Sequence, residues 1–230
     1  MDQLLPKLKS TSAFREGAPR SVQPEILDGL HENSIEALAS RKDLRILNRL
    51  LGNQHWFKRV LRNRLKPGDQ ILEVGAGDGG LNGVMSATGV KFAGLDLGGR
   101  PKEWAQEGGW FQTDVFNFPG WNDFPVVIAN LFFHHFDDGQ LARLGNRFGR
   151  TRLIVANEPL RAQRADRLFA LVGPLIGAHP VTRYDARVSI AAGFRNDELP
   201  RLLGLDPAVW EWRVRETWRG ASRLVAEKRS

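Results

Sequence analysis

A glycine-rich turn preceded by a glutamate is the first stretch of the sequence that could do chemistry. Glu73 lies near the end of a short apolar run (QILEV), and Gly75, Gly77 and Gly79 follow at alternate positions. Glycines there let the backbone adopt positive φ angles and approach a ligand closely. Gly75, Gly77 and Gly80 also satisfy the G-x-G-x-x-G pattern of dinucleotide-binding turns. The turn therefore predicts a binding site for a nucleotide-containing cofactor.

The charge around this turn distinguishes two classes of cofactor. The chain has a net charge of +7, yet residues 68–139 hold three Lys or Arg against ten Asp or Glu, a net charge of −7. A pyrophosphate would be repelled by Glu73 and Asp78. S-adenosylmethionine has no phosphate, and its ammonium and sulfonium outweigh its one carboxylate. The acidic segment therefore favours S-adenosylmethionine over a dinucleotide.

Side chains suited to this cofactor follow three further predicted strands. Asp96 ends the second strand, 21 residues after Gly75, where a carboxylate accepts hydrogen bonds from ribose hydroxyls. Asp114 follows the third strand and can accept from the adenine amino group, although it could equally be a helix N-cap. Ligands of open α/β sheets bind at the carboxyl ends of the strands, so these positions converge. The predicted cofactor-binding residues are Glu73, Gly75, Gly77, Gly79, Asp96, Leu97, Asp114, Val115, Asn130 and Leu131.

Two adjacent histidines follow the fourth predicted strand and are the candidate catalytic residues. Histidine titrates near neutral pH, so His134 or His135 could be the base that removes a proton from a hydroxyl acceptor. The alternative is a structural pair that caps the next helix, which starts at Asp137-Asp138. No group of His, Asp and Glu has the spacing of metal ligands, so no metal is expected. The candidate acceptor-binding residues are His179, Tyr184, Arg187 and Arg195, the last three in a stretch predicted to be a loop.

The elements that must position these residues form an alternating α/β pattern. Helical or loop segments separate the first five predicted strands, and the almost wholly apolar fourth strand is typical of a central parallel strand. Two β-like runs joined by Arg219-Gly220 then predict an antiparallel hairpin. The pattern predicts a doubly wound, mostly parallel α/β sheet. The predicted strands are Gln70–Val74, Lys91–Leu97, Trp110–Val115, Val126–Phe133, Arg152–Asn157, Val209–Trp218 and Ala221–Glu227.

The N-terminal part of the chain, residues 1–67, predicts a helical arm or cap in front of the sheet. Residues 1–30 are rich in Pro, Ser and Gly and predict an arm or lid. Asn33 and Glu36 resemble a capping box for a first helix. A second helix with one basic face follows, and Pro67-Gly68 ends it.

Four segments together resemble the motifs of the class I S-adenosylmethionine-dependent methyltransferases. ILEVGAGDGG resembles their first motif, GLDL the acid of their second strand, TDVF their adenine-side segment and ANLFFHHF their fourth-strand motif. The resemblance covers about residues 68–230 and implies a Rossmann-like, seven-stranded sheet with a reversed last strand and a cap insertion near residues 160–200. It also implies methyl transfer from the sulfonium of S-adenosylmethionine. The NLxxHH form is most similar to enzymes acting on small molecules, so O-methylation of a phenolic, polyketide or quinone-type acceptor is expected.

Other features of the sequence argue against three alternative functions and leave two open. A short-chain dehydrogenase needs a Tyr with a Lys four residues later, but Tyr184, the only tyrosine, is followed by Val188. A base-modifying N-methyltransferase would carry an Asn-Pro-Pro-Tyr-type fourth motif, whereas this chain has NLFF there. Cytosine C5 methylation needs a cysteine, and the chain has none. An RNA methyltransferase that uses the basic flanks and a non-catalytic cofactor-binding protein stay open as alternatives.

No targeting segment or membrane span is predicted from the sequence. The N-terminus lacks the long apolar core of a signal peptide. The longest uncharged stretch, residues 168–182, has 15 residues and is interrupted by Gly173-Pro174, whereas a membrane-spanning helix needs about 20. The expectation is a cytoplasmic enzyme whose partner is a small-molecule acceptor.

Overall fold

The computed structural model describes residues 17–105 and 107–229 and contains one seven-stranded sheet. The strand order is β3-β2-β1-β4-β5-β7-β6. The strands are β1 (Gln70–Val74), β2 (Lys91–Asp96), β3 (Gly109–Gln112), β4 (Val126–Asn130), β5 (Leu153–Pro159), β6 (Trp210–Glu216) and β7 (Ala221–Lys228). The helices are α1 (Ile35–Leu50), α2 (Asn53–Arg62), α3 (Asn82–Ser86), α4 (Asp138–Gly145), α5 (Gln163–Leu175), α6 (Pro180–Ala192) and α7 (Glu198–Leu202).

Strands β1 to β5 are parallel, and β7 and β6 complete the sheet as an antiparallel pair. Strand β1 pairs with β2 on one side and with β4 on the other, so the strand order reverses between β1 and β4. Strand β7 pairs antiparallel with both β5 and β6. In doubly wound sheets the point of reversal opens a crevice at the carboxyl ends of the strands, where ligands bind. The predicted mostly parallel sheet with an antiparallel C-terminal hairpin is confirmed.

Apolar side chains from alternate positions of the central strands fill both faces of the sheet. Leu72 and Val127 belong to one core cluster, and Ile71 and Ile128 belong to the other. Helices α2 and α3 cover one face, whereas α4 and α7 cover the opposite face. Side chains of β4 and β5 are fully buried over most of their length, as the apolar composition of these strands predicts.

Several predicted boundaries are wrong, each for a local physical reason. Helix α1 is capped by Ser34, whose hydroxyl accepts from the Ala37 N–H at 3.2 Å, and not by Asn33. The fourth strand ends at Asn130 rather than at Phe133, because Leu131 has a φ of 58° and turns the chain out of the sheet.

The third strand is shorter than predicted, and the fifth is longer. Strand β3 ends at Gln112 instead of Val115, and β5 continues to Pro159 because β7 pairs with it along its whole length. The stretch with Tyr184 and Arg187, predicted to be a loop, lies in helix α6. Only Arg195 lies in a connecting segment, between α6 and α7.

The N-terminal segment that precedes α1 packs across helix α6 and the turn after β4. We call residues 17–34 the strap; residues 1–16 of the predicted arm lie outside the described residues. The strap donates hydrogen bonds from Ser21 N to Ala191 O at 3.1 Å and from the Arg20 guanidinium to Ala192 O at 2.8 Å. Within the described ranges, every helix is too short or too polar to cross a membrane.

Candidate functional site

The glycine-rich turn after β1 approaches the loop after β4 too closely for any side chain. Gly75 has a φ of 64°, and a Cβ atom there would lie 2.1 Å from the Phe132 ring. The turn is held in place by the Gly75 N–H, which donates to Leu95 O at 2.9 Å. The predicted need for glycine therefore has two causes here, a left-handed backbone and a packed aromatic neighbour.

Glu73 is a buried carboxylate below this turn and lacks a full set of partners. Its side chain is 3 % exposed, and its Oε2 atom accepts no hydrogen bond from the described residues. Burial, followed by the nearby charges of Asp78 and Asp96, raises the pKa of Glu73 well above its usual value. An unpaired carboxylate in an apolar environment is costly, so this atom marks a position where a donor or cation can bind.

Asp96 connects the end of β2 to the glycine-rich turn. Its Oδ2 accepts from the Gly77 N–H and its Oδ1 accepts from the Gly98 N–H, both at 2.8 Å. An ionised carboxylate has about four acceptor positions, so each oxygen of Asp96 can accept one further hydrogen bond. The neighbouring Leu97 side chain is 72 % exposed at the same end of the sheet.

Asp114 closes a tight turn after β3 and is not a helix N-cap. Its Oδ1 accepts from the Phe116 N–H at 2.7 Å, and the next helical element is a short 3-10 turn at Gly120–Asp123. Val115 is buried in one of the core clusters. The second oxygen of Asp114 remains a candidate acceptor.

Asn130 takes part in a network of amides beneath the site. Its Nδ2 donates to Asn48 Oδ1 at 3.1 Å, and its Oδ1 accepts from Asn157 Nδ2 at 3.0 Å. Arg223 Nε then donates to Asn157 Oδ1 at 3.0 Å. The network fixes α1 to β4, β5 and β7, so the side chain of Asn130 holds these elements together.

His134 lies between two carboxylates in the turn after β4. Its Nδ1 lies 2.8 Å from Glu158 Oε2, and its Nε2 lies 3.3 Å from Glu25 Oε1. Glu158 also accepts from the backbone N–H groups of Phe132 and Phe133 through Oε1, at 3.1 and 3.0 Å. A single buried carboxylate at the end of β5 therefore holds both the backbone and the imidazole of this turn.

The two carboxylates determine the charge of His134. Burial alone would lower the pKa of His134, but the hydrogen bonds and charges of Glu158 and Glu25 outweigh it and raise the pKa to about 9. In the same way, burial would raise the pKa of Glu25, but the His134 side chain brings it below its usual value. At neutral pH His134 is therefore an imidazolium, which is the wrong protonation state for a general base.

His135 has a different environment from its neighbour. Its ring packs against the His134 ring with centroids 4.3 Å apart, and its Nδ1 lies 3.5 Å from Asp28 Oδ2 of the strap. Its side chain is 29 % exposed. The pair does not cap the next helix: Asp137 caps α4, in a capping box with Gln140.

The candidate acceptor-binding residues make structural contacts. His179 caps helix α6 through Nδ1, which accepts from the Val181 N–H at 3.3 Å. Arg187 forms an ion pair with Asp166 of α5 at 2.9 Å. Arg195 donates through its guanidinium to the Arg161 carbonyl oxygen. Tyr184 is half-buried on α6.

Some residues of the site were not predicted from the sequence. Glu25 and Asn48 reach it from the strap and from α1, and no local motif marks either of them. Glu158 offered a signal, because it is an acid at the carboxyl end of a predicted strand. Its fourfold hydrogen bonding to residues 132–134 could not be predicted from that position alone.

Comparison with known proteins gives matches in structure only. No family model matches the sequence, and no curated protein matches it. The plantazolicin methyltransferase BamL, solved with a desmethyl plantazolicin analogue and S-adenosylhomocysteine, superposes with a TM-score of 0.67 at 9 % identity over 88 % of this chain and 92 % of that chain. The plantazolicin methyltransferase BpumL, in complex with S-adenosylhomocysteine, gives 0.62 at 12 % identity over 84 % and 88 %.

A third similar structure comes from Nostoc punctiforme and is described as a putative O-methyltransferase. It superposes with a TM-score of 0.51 at 12 % identity, over 77 % of this chain and 56 % of that chain. Identities this low establish the architecture and leave the substrate open. The sheet order, the turn after β1 and these superpositions agree: the chain has the fold of the class I S-adenosylmethionine-dependent methyltransferases.

Proposed function

We propose that this protein is a methyltransferase that uses S-adenosylmethionine. The Oε2 atom of Glu73 carries the proposal: it accepts no hydrogen bond from any residue that the structure describes, and a buried carboxylate oxygen of this kind suits the ammonium group of this cofactor. Asp78 and Asp96 add negative charge around the same turn. A cationic ligand is attracted to this arrangement, whereas a dinucleotide pyrophosphate is repelled.

Residues at the carboxyl end of the sheet would each bind a different part of the cofactor. Glu73 would hold the ammonium group, Asp96 the ribose hydroxyls, and Asp114 the adenine amino group. The turn around Gly77 would bring backbone N–H groups close to the ligand, and Leu97, Val115, Asn130 and Leu131 would complete the surface around it. When bound, the cofactor supplies an electrophilic methyl group. The protein aligns an acceptor with it and excludes water, which can supply about 7–11 kcal/mol of the barrier reduction in well-oriented cases.

We propose a compact acceptor with a hydroxyl group of phenolic, polyketide or quinone type. The strap supports a small acceptor: it covers the turn after β4 through Glu25 and through Arg20, whose guanidinium donates to Phe136 O at 3.0 Å. Such a cover suits a small molecule better than an extended nucleic acid. His135 is the better candidate base, because His134 is held as an imidazolium between two carboxylates.

An RNA acceptor is the second candidate, and a group of arginines favours it. Burial and then the charges of Arg219, Arg59 and Arg215 lower the pKa of Arg223. Beside them, Trp218 is 73 % exposed and lies 5.1 Å from the Arg219 guanidinium. Binding of RNA that weakens steeply with added salt would favour this candidate.

Calorimetry with S-adenosylmethionine tests the proposed cofactor. The full chain is expected to bind one equivalent, and Asp96→Ala is expected to abolish binding. Asp123→Ala, an exposed carboxylate in the 3-10 turn before β4, is the matched control and is expected to bind normally. Absence of binding by the folded wild-type chain would refute the proposal.

Turnover with a panel of phenolic acceptors tests the acceptor class and the base. Release of S-adenosylhomocysteine that depends on the acceptor is expected for the wild type. His135→Asn is expected to lower kcat and to leave the affinity for the cofactor unchanged. Turnover equal to that of the wild type would exclude His135 as the base.

A further inference from the structure

Three side chains with metal-ligand chemistry meet beside the carboxyl end of β4. Glu25 belongs to the strap, whereas His134 and His135 belong to the turn after β4. One ligand atom from each residue lies within 4.8 Å of the other two. We propose that Glu25, His134 and His135 bind a divalent transition-metal ion of the Zn²⁺ type.

Glu158 gives His134 the orientation that a metal ligand needs. Its Oε2 lies 2.8 Å from His134 Nδ1, so Nδ1 donates its N–H to this carboxylate. Nε2 then faces Glu25 Oε1 at 3.3 Å. Metal-binding histidines almost always donate their other ring N–H to a carboxylate, carbonyl or water. A bound metal takes the position of the Nε2 proton, which leaves to solvent.

The charge and burial of the group also suit a cation. Glu158 is fully buried, and the side chain of Glu25 is 12 % exposed. Asp28 adds a third carboxylate near His135. Buried carboxylates are stable only when they are paired or coordinate a metal. A divalent ion would neutralise two of these three charges while both imidazoles are neutral.

The ligand types select the class of metal. Two imidazole nitrogens and one carboxylate form the protein ligand set of several catalytic Zn²⁺ sites, which keep one coordination position open. Mg²⁺ and Ca²⁺ prefer oxygen ligands and are disfavoured by the imidazoles. The partial exposure of His135 offers an entry path. With the metal bound, His135 is a ligand and no longer a base, and a metal with an open position would instead lower the pKa of an acceptor hydroxyl bound there. This role for the metal rests on the proposed methyltransferase function, whereas metal binding itself does not.

Metal titration of the tag-free full chain, first stripped with a chelator, tests the site. Calorimetry with Zn²⁺ and the visible d–d absorption of Co²⁺ are expected to show one equivalent bound. Glu25→Gln and His135→Ala are each expected to weaken binding by about 100-fold or more, because even the loss of an outer-shell partner costs about 10–100-fold. Glu158→Gln is expected to weaken it by about 10–100-fold.

The controls separate metal binding from folding and from methyl transfer. His55→Ala, an exposed histidine on α2, is expected to bind like the wild type. Zn²⁺ is expected to raise the Tm of the wild type but not that of His135→Ala. Since no cofactor or acceptor is present, failure of the methyltransferase proposal would leave this result unchanged. Absence of binding by the folded wild type, or binding that both ligand substitutions leave intact, would overturn the proposal.

Discussion

Replacing Glu158 with glutamine is expected to lower the free energy of unfolding by about 3–5 kcal/mol, the range for removing one partner of a buried ion pair. Glu158 is fully buried and accepts from three backbone N–H groups and from His134 Nδ1. Glutamine has the same size and can still accept at one oxygen. Its NH₂ group, however, would face the backbone N–H and the Nδ1–H of His134. Since all of these groups are hydrogen-bond donors, both hydrogen bonds to His134 would be lost.

The magnitude follows from the two hydrogen bonds that are lost. A hydrogen bond to a charged group contributes about 1.5–3 kcal/mol, so the loss of two such bonds costs about 3–6 kcal/mol. This sum agrees with the range for a broken buried pair. Since 1 kcal/mol shifts the Tm of a domain of this size by about 2–4 °C, a decrease of about 6–20 °C is expected.

Urea denaturation at neutral pH, followed by circular dichroism, measures the effect on metal-free protein. Glu216→Gln is the matched control, because Glu216, like Glu158, pairs with a basic side chain and accepts from a backbone N–H; its basic partner is Arg164. That pair is exposed at the surface, so the loss is expected to stay below about 1 kcal/mol. If Glu158→Gln costs no more than Glu216→Gln, the assigned role of Glu158 is wrong.

Three further predictions address the turn, the cofactor and the strap. Gly75→Ala is expected to abolish cofactor binding in calorimetry, because the new Cβ would overlap the Phe132 ring. The control is Gly89→Ala, at a position that has a similar φ of 72° but open space around it. This control should lower the free energy of unfolding only by the strain of a left-handed residue, about 1–2 kcal/mol. Binding by Gly75→Ala at wild-type affinity would contradict this. Glu73 is expected to release a proton when the cationic cofactor binds, since its raised pKa falls beside a positive charge. Calorimetry in buffers of different ionisation enthalpy detects this release, which Glu73→Gln should remove; equal release by both proteins would assign it to another group. Asp185 of α6 accepts hydrogen bonds from the Ile26 and Leu27 N–H groups of the strap, at 2.8 and 2.9 Å. Burial raises the pKa of Asp185 from 3.8 to about 6, so its contribution to stability is fully present below pH 3.8 and is lost as the pH rises through about 6. Denaturation between pH 4 and 7 should show the wild type losing stability relative to Asp185→Asn. If the free energies of unfolding of the two proteins change in parallel with pH, the pKa of Asp185 is not raised.

Local sequence patterns were sufficient for the sheet and for the glycine-rich turn after β1. The apolar run before Gly75 and the acid Asp96 lie within short segments. The residue types of each segment indicate both its backbone conformation and its chemistry. Parallel strands bring their carboxyl ends together, so residues such as Asp114 converge without any knowledge of side-chain packing. That is why the architecture was predictable.

Long-range contacts decide what could not be predicted. Glu25 and His134 are 109 positions apart in the chain, and no periodic pattern links a strap residue to a turn residue. The raised pKa of His134 depends on that contact, so the sequence alone does not distinguish His134 from His135 as the candidate base. The turn at Leu131 requires a positive φ from a non-glycine residue, which tertiary packing supplies and local propensity does not indicate.

The position of β7 has a consequence for the order of assembly. Strand β7 follows β1 to β6 in the chain, yet it is an interior strand of the sheet, between β5 and β6. Until Ala221–Lys228 leaves the ribosome, the apolar β5 has an unpaired edge, and such edges recruit other chains. The sheet can therefore be completed only after β1 to β6 have been synthesised. Chains that terminate before β7 should aggregate at the β5 edge instead of forming a smaller folded protein.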